Sequence, residues 1–335
     1  MTAPRIIFAG TPDFALASLT ALVESGRVPI AVLTQPDRPA GRGKKLRASP
    51  VKQYAQRQGI PVMQPDTLRD AGVVAELEAL RPELMIVAAY GLILPQDVLD
   101  IPAQGCLNVH ASVLPRWRGA APIQAAILAG DTHTGVSLMA MTAGLDCGPV
   151  FHIEEIEIGA NETAGELHDR LAALGGATLI AHLDDILAHR LASTEQDEAL
   201  TTYAPKIEKQ DAAIDWSLAA ADLARRVRAY NPFPGAYCFV GAALTVGAAL
   251  TVGGPSGPNS RLKPLPQACR LKVWRATAVD GSADPGTVLQ SDRDGVVVAT
   301  GSGALRLDEL QLPGKRRVTA QEFAGQLDLS GKRLV

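Results

Sequence analysis

Asn108-Val-His110-Ala-Ser112-Val-Leu-Pro115-Arg116-Trp-Arg118-Gly-Ala120 runs from an apolar strand end into a polar turn, and Gly144-Leu-Asp146-Cys-Gly148 follows further along the chain. Two segments thus offer an amide, an imidazole and a carboxylate. That set suits acyl transfer to an amine, in which a carbonyl oxygen takes on charge and the nucleophile must shed a proton. Asn108 and His110 are two apart on a strand, so they face the same way near its carboxyl end. Ligands of open parallel sheets bind at that edge. Each residue also has a plain reading: a structural histidine, an amide satisfied in the core, a turn carboxylate binding backbone amides. Their combination at one sheet edge favours function. Cys147 adjoins Asp146, which raises a nucleophilic role, but a small apolar packing role is the ordinary one for cysteine. His133, His152, His168, His182 and His189 have no partner pattern and read as surface or structural groups.

The elements that must position these groups alternate over the first 190 residues. Arg5–Gly10, Ile30–Leu33, Pro61–Met63, Leu84–Ala89 and Cys106–His110 are apolar runs of strand length, and the Leu84 run is continuous, as in a strand buried on both faces. Leu16, Leu19, Leu22 and Val23 mark a helix opened by Pro12 and stopped by Gly26. Val73, Val74, Leu77 and Leu80 predict an amphipathic helix over 67–80. A helix over 121–128, strands at 136–141 and 150–153, and a long helix or helix pair over 163–190 complete the series. Alternation of this kind implies an α/β, Rossmann-like, doubly wound and mainly parallel sheet over 1–189. Residues 190–209 are polar and read as a linker. In 210–335 a short helix at 220–228 precedes short strands near 271–274, 286–289, 295–298 and 305–310, separated by Gly, Asp and Pro, which predicts a small barrel.

Length and composition fit this division. The chain has 335 residues, 47% apolar and 20% charged, with a net charge of −3. Residues 1–205 hold 15 basic and 23 acidic side chains, a balance of −8, whereas 206–335 hold 17 and 12, a balance of +5. The basic second half suits a polyanionic partner. The N-terminus has no signal-peptide pattern, and the longest weakly polar runs fall short of the roughly 20 residues a spanning helix needs. Four cysteines (106, 147, 238, 269) have no metal-like spacing. The expectation is a cytoplasmic protein with reduced thiols.

Three further segments shape the reading. Ala9-Gly10-Thr11-Pro12 occupies the place of a dinucleotide glycine fingerprint without its spacing, and Pro12 removes a backbone donor, which argues against a nicotinamide oxidoreductase. Arg38-Pro-Ala-Gly-Arg42-Gly-Lys44-Lys45-Leu-Arg47 carries five cations and no anion. It is either a solvated loop or a phosphate-contacting one, and its place after the second strand favours contact. Gly241–Val246 repeats at once as Gly247–Val252, and a Gly/Pro/Ser-rich stretch follows to about 268. This duplication reads as an inserted surface loop.

A group of stretches resembles one family over nearly the whole chain outside 241–268. They are Ile6–Phe14, Thr34–Lys45, Ala89–Pro95, Leu107–His110, Leu114–Gln124, Gly144–Asp146, Ile214–Ser217 and Asn231–Pro234. The chain resembles the methionyl-tRNA formyltransferases, a branch of the folate-dependent formyltransferases. The resemblance implies a Rossmann-like catalytic domain over 1–189 and an OB-like, tRNA-binding barrel over 210–335. It implies 10-formyltetrahydrofolate as donor, initiator methionyl-tRNA as acceptor and no metal. It also implies Asn108, His110 and Asp146 as catalytic residues. Ser112, Val113, Leu114 and Pro115 would form a folate-side turn, and Arg38, Arg42, Lys44 and Lys45 would contact tRNA. A monomer is expected. Asn-x-His-x-Ser-x-Leu-Pro with a downstream Leu-Asp is shared across folate formyltransferases, so a small amine such as a sugar nucleotide remains an alternative acceptor. A non-catalytic tRNA-binding protein is a second alternative, against which the intact Asn, His and Asp argue.

Overall fold

The computed structural model describes residues 4–40, 45–240, 269–324 and 327–335. Arg42, Lys44 and the duplicated segment 241–268 lie outside the described residues. The chain divides into two compact units: one of Met1–Ala126, Asp131–Gly159 and Glu166–Lys206, the other of Ile127–Gly130, Ala160–Gly165 and Ile207–Val335.

In the first unit, β1 (Ile6–Gly10), α1 (Asp13–Glu24) and β2 (Ala31–Leu33) are followed by a small hairpin, β3 (Arg38–Ala40) and β4 (Lys45–Arg47). Next come α2 (Pro50–Arg57), β5 (Val62–Met63), α3 (Ala71–Ala79), β6 (Leu84–Ala88), α4 (Gln96–Leu99) and β7 (Cys106–His110). The chain continues through β8 (Arg118–Gly119), α5 (Pro122–Ala129), β9 (His133–Ala140), β10 (Val150–Glu157), the 24-residue α6 (Ala164–Leu187) and β11 (Tyr203–Ala204). The main sheet has the order β10-β9-β7-β6-β1-β2-β5. β7, β6, β1, β2 and β5 are parallel; β9 runs antiparallel to β7, and β10 antiparallel to β9. β9 and β10 are joined by a short loop rather than a helical crossover, and a short connection forces antiparallel pairing.

β1 and β6 are buried along their whole length. Ile7, Ala9, Met85 and Val87 pack on one face with Leu33, Leu68 and Leu77, while Ile6, Phe8, Leu84 and Ile86 are equally enclosed on the other. Each of the larger side chains among these contributes about 1.5–3 kcal/mol, which pins the register. Helix α3 begins at Ala71 rather than 67, because the Asp70 carboxylate caps it by accepting from Gly72 and Val73 N–H.

In the second unit, α7 (Ala220–Ala229) precedes β12 (Tyr237–Val240), β13 (Cys269–Val279), β14 (Val288–Asp292), β15 (Gly295–Ala299), β16 (Ala304–Gln311), β17 (Val318–Thr319) and α8 (Ala320–Ala324). The sheet is antiparallel, in the order β12-β13-β16-β15-β14, with β17 on β16. It curls around Trp216, Leu223, Val273, Val298, Leu307 and Phe323. The last residues reach both edges: Leu334 bridges Val240, and Arg333 bridges Thr287.

Candidate acyl-transfer site

Asn108 and His110 project from one face of β7, whose register is set by β6 on one side and β9 on the other, with Asn108 opposite Met139 and His110 opposite Ser137. Slipping that pairing by one residue would turn both side chains away together. They are 8% and 7% exposed. Asp146 arrives in the loop between β9 and β10. That loop starts beside Cys106, where Met141 N–H donates to the Cys106 carbonyl, and then runs back along the strand.

The three groups converge. Asn108 Nδ2 donates to Asp146 Oδ1 at 3.4 Å, and His110 Nδ1 lies 3.8 Å from Asp146 Oδ2. Asp146 Oδ2 also accepts the Gly119 backbone N–H at 2.9 Å. His110 Nε2 is 3.1 Å from the Trp117 carbonyl oxygen. Each ring nitrogen thus faces an oxygen, the Trp117 carbonyl within hydrogen-bond distance and the Asp146 carboxylate beyond it. Asp146 sits at φ 48° and Trp117 at φ 63°. For side-chain-bearing residues this left-handed region costs of order 1–3 kcal/mol and persists only where the surroundings impose it. The turn is held by Arg116, which pairs with Asp131 at 2.6 Å and lies over the Trp117 ring, and by Trp117 Nε1, which donates to Asp131 at 2.8 Å. Two glycines are required by close approach. A Cβ at Gly119 (φ 119°) would lie 2.7 Å from the Ala204 carbonyl oxygen, and one at Gly148 would collide with the Ala140 carbonyl.

The structure places the other expected residues as follows. Ser112 Oγ donates to the Arg116 carbonyl at 2.6 Å, and Ser112 and Leu114 are buried. Val113 and Pro115 are the partly exposed members of that turn. Ser137, which sequence reasoning missed, ties the turn down: its Oγ donates to the Ser112 carbonyl at 2.7 Å and accepts from Leu114 N–H at 3.1 Å. Arg38 is exposed at the start of the β3–β4 hairpin and donates to Gln35 Oε1 at 2.6 Å. Lys45 contributes backbone to that hairpin. Nearby, Asp37 pairs with Lys52 at 2.8 Å, which together with Gln64 holds its carboxyl below the usual range. Cys147 is partly exposed, with Sγ 3.4 Å from Thr142 Oγ1. Burial pushes the Cys106 and Cys238 thiols up to about 12.

Sequence reasoning also missed what lies behind the loop. Arg118 is 2% exposed. Its guanidinium donates to Gln196 Oε1 (3.0 and 2.9 Å) and to the Glu198 carboxylate (3.1 and 2.8 Å). The hydrogen bonds from Arg118, helped by its charge, hold the Glu198 carboxyl below the usual range. Gln196 falls in the stretch expected to be a linker, a polar tract with no pattern to mark it. Among the described residues, no group of three or more His, Cys, Asp or Glu side chains is placed to hold a metal ion, and no helix is long and apolar enough to cross a membrane.

A mainly parallel sheet with an amide, an imidazole and a carboxylate converging on one strand has the architecture of a group-transfer enzyme. Residues 4–183 match the family described as Formyl transferase, and 206–327 match Formyl transferase, C-terminal domain. The chain is 48% identical to a methionyl-tRNA formyltransferase of Methylococcus capsulatus, over 98% of this chain and 99% of that one. It is 50% identical to one of Aromatoleum aromaticum, over 95% and 93%. The chain belongs to the formyl transferase family and, within it, to the methionyl-tRNA formyltransferases. The fold is also that of the N-formyltransferase from Helicobacter canadensis, solved with folinic acid and dTDP-3-aminofucose (TM-score 0.62, 16% identity, 91% of this chain and 99% of that one).

Proposed function

We propose that this chain transfers the formyl group of 10-formyltetrahydrofolate to the α-amine of the methionine on initiator methionyl-tRNA. The observation that carries the chemistry is the meeting of Asn108, His110 and Asp146. The relatives near 50% identity favour this acceptor. A free α-amine titrates at about 7.7–8, so a neutral fraction exists at physiological pH. The amine nitrogen bonds to the formyl carbon, whose oxygen becomes an oxyanion. Asn108 has a second amide N–H to offer that oxygen. His110, anchored through Nε2 on the Trp117 carbonyl, donates from Nδ1 when that nitrogen carries a proton. One such donor is worth about 100- to 1000-fold in rate. Asp146, aimed by Gly119 N–H, takes the amine proton directly or through water. The bond from the formyl carbon to the folate nitrogen then breaks, and that nitrogen regains a proton.

The Ser112–Pro115 turn is the folate side of this site, and Arg38, Arg42, Lys44 and Lys45 are the tRNA-binding cations. The second unit supplies a basic tRNA surface. Its curled sheet, bridged at both edges by residues 333 and 334, supports an OB-like barrel. The protein acts as a cytoplasmic monomer without a metal. The test is a purified-protein assay with formyl-folate and either charged initiator tRNA or an amino-sugar nucleotide. Formylmethionyl-tRNA as the product supports the reading. Formylation of the sugar alone would move this chain to a small-amine acceptor, and no product from either would leave a non-catalytic binder.

A further inference from the structure

Residues 194–204 form a strap across the back of the site. Thr194 exchanges two backbone hydrogen bonds with Val150, each 2.8 Å. Thr202 accepts Arg118 N–H through its carbonyl and Trp117 N–H through its hydroxyl, both at 2.9 Å, and Ala204 accepts Ala120 N–H at 2.9 Å. The strap therefore touches both segments that build the site: the loop carrying Asp146 and the turn carrying Trp117 and Gly119. At its centre, Gln196 Nε2 donates to the carbonyls of Asp146 (2.9 Å) and Gly148 (2.7 Å), while its Oε1 is gripped by Arg118.

From this geometry we infer that Gln196 is a positioning residue for Asp146, with Arg118 as its anchor. The inference rests on the proposed role of Asp146. Two observations carry it. Asp146 sits at φ 48°, a left-handed conformation that is a minor one even for aspartate, and the Gln196 amide bonds its carbonyl from outside the loop. The Gln196 amide grips the carbonyls on either side of Cys147, the peptide groups that fix where the Asp146 carboxylate points. Arg118 in turn leaves Gln196 one orientation: Oε1 toward the guanidinium and the donor toward the loop. The buried Arg118 charge is paired by the Glu198 carboxylate, which leaves the guanidinium fixed in place to grip Gln196.

The test is Gln196→Glu, which keeps the shape and the Arg118 contact but removes the donor. Gln196→Met removes the donor without adding charge and guards against a disturbance from the new carboxylate. Each should lower kcat about 10- to 100-fold while KM for formyl-folate holds and the melting transition stays well above the assay temperature. The pH profile of kcat should shift with the displaced carboxylate. On an Asp146→Asn background the same changes should cost less than roughly twofold, since they act through a carboxylate already gone. Wild-type turnover in both variants, beside a slow Asp146→Asn, would overturn the inference alone. An undiminished cost on the Asp146→Asn background would also overturn it, because Gln196 would then act elsewhere. Full turnover by Asp146→Asn itself would remove the proposed role of Asp146, and the strap's part in catalysis with it.

Discussion

Gly119 donates its backbone N–H to Asp146 Oδ2 at 2.9 Å, so the carboxylate is aimed by main chain from a different segment. An asparagine at 146 can accept the same bond through its amide oxygen while losing the charge. Asp146→Asn is therefore expected to keep folate binding and lower kcat by at least about 100-fold, as for loss of a positioned base. Turnover equal to wild type across the pH range would make Asp146 a turn residue and nothing more.

Cys147 neighbours Asp146 but faces Thr142, whereas Cys106, Cys238 and Cys269 are buried with raised thiol pKa values. A thiolate is the reactive form. The native protein should react with one equivalent of a thiol reagent at neutral pH and with four after denaturation. Cys147→Ser should leave no rapidly reacting thiol and near-wild-type turnover. A Cys147→Ser variant slowed more than about 100-fold would point to nucleophilic catalysis instead.

The basic segment bears on acceptor choice. Replacing Arg42 and Lys44 with alanine should weaken methionyl-tRNA use and reduce the log–log salt slope by about 1.8, two phosphate contacts' worth, between roughly 50 and 200 mM salt. Folate affinity should stay the same. Equal slopes for the two proteins would reduce the segment to a solvated basic turn and strengthen the case for a small-amine acceptor.

Local patterns carried much of the architecture. The continuous apolar run at Leu84 is legible because burial on both faces leaves no polar alternation. Asn108 and His110 are legible as a pair because a strand's period of two puts them on one face. Asp146 shows as a carboxylate in a glycine-rich turn. What is not legible depends on contacts between distant segments. The reversal of β9 against β7, across a connection that contains α5, is not announced by the strand pattern. Ser137 looks like one more strand residue until the turn at 112–114 folds onto it. Gln196 and Arg118 lie 78 positions apart, and only the folded chain joins them. The polar tract at 190–209 reads as a linker because its contacts are hydrogen bonds to distant backbone and to Arg118, which demand no apolar pattern.

Single-turnover formation of formylmethionyl-tRNA from formyl-folate and charged initiator tRNA, compared between wild type, Asn108→Ala and His110→Ala, reads the catalytic roles of the two strand residues. Wild type should form product rapidly and each variant more slowly by about 100-fold or more, with both still folded and still binding folate. Rates in both variants matching wild type would contradict those roles.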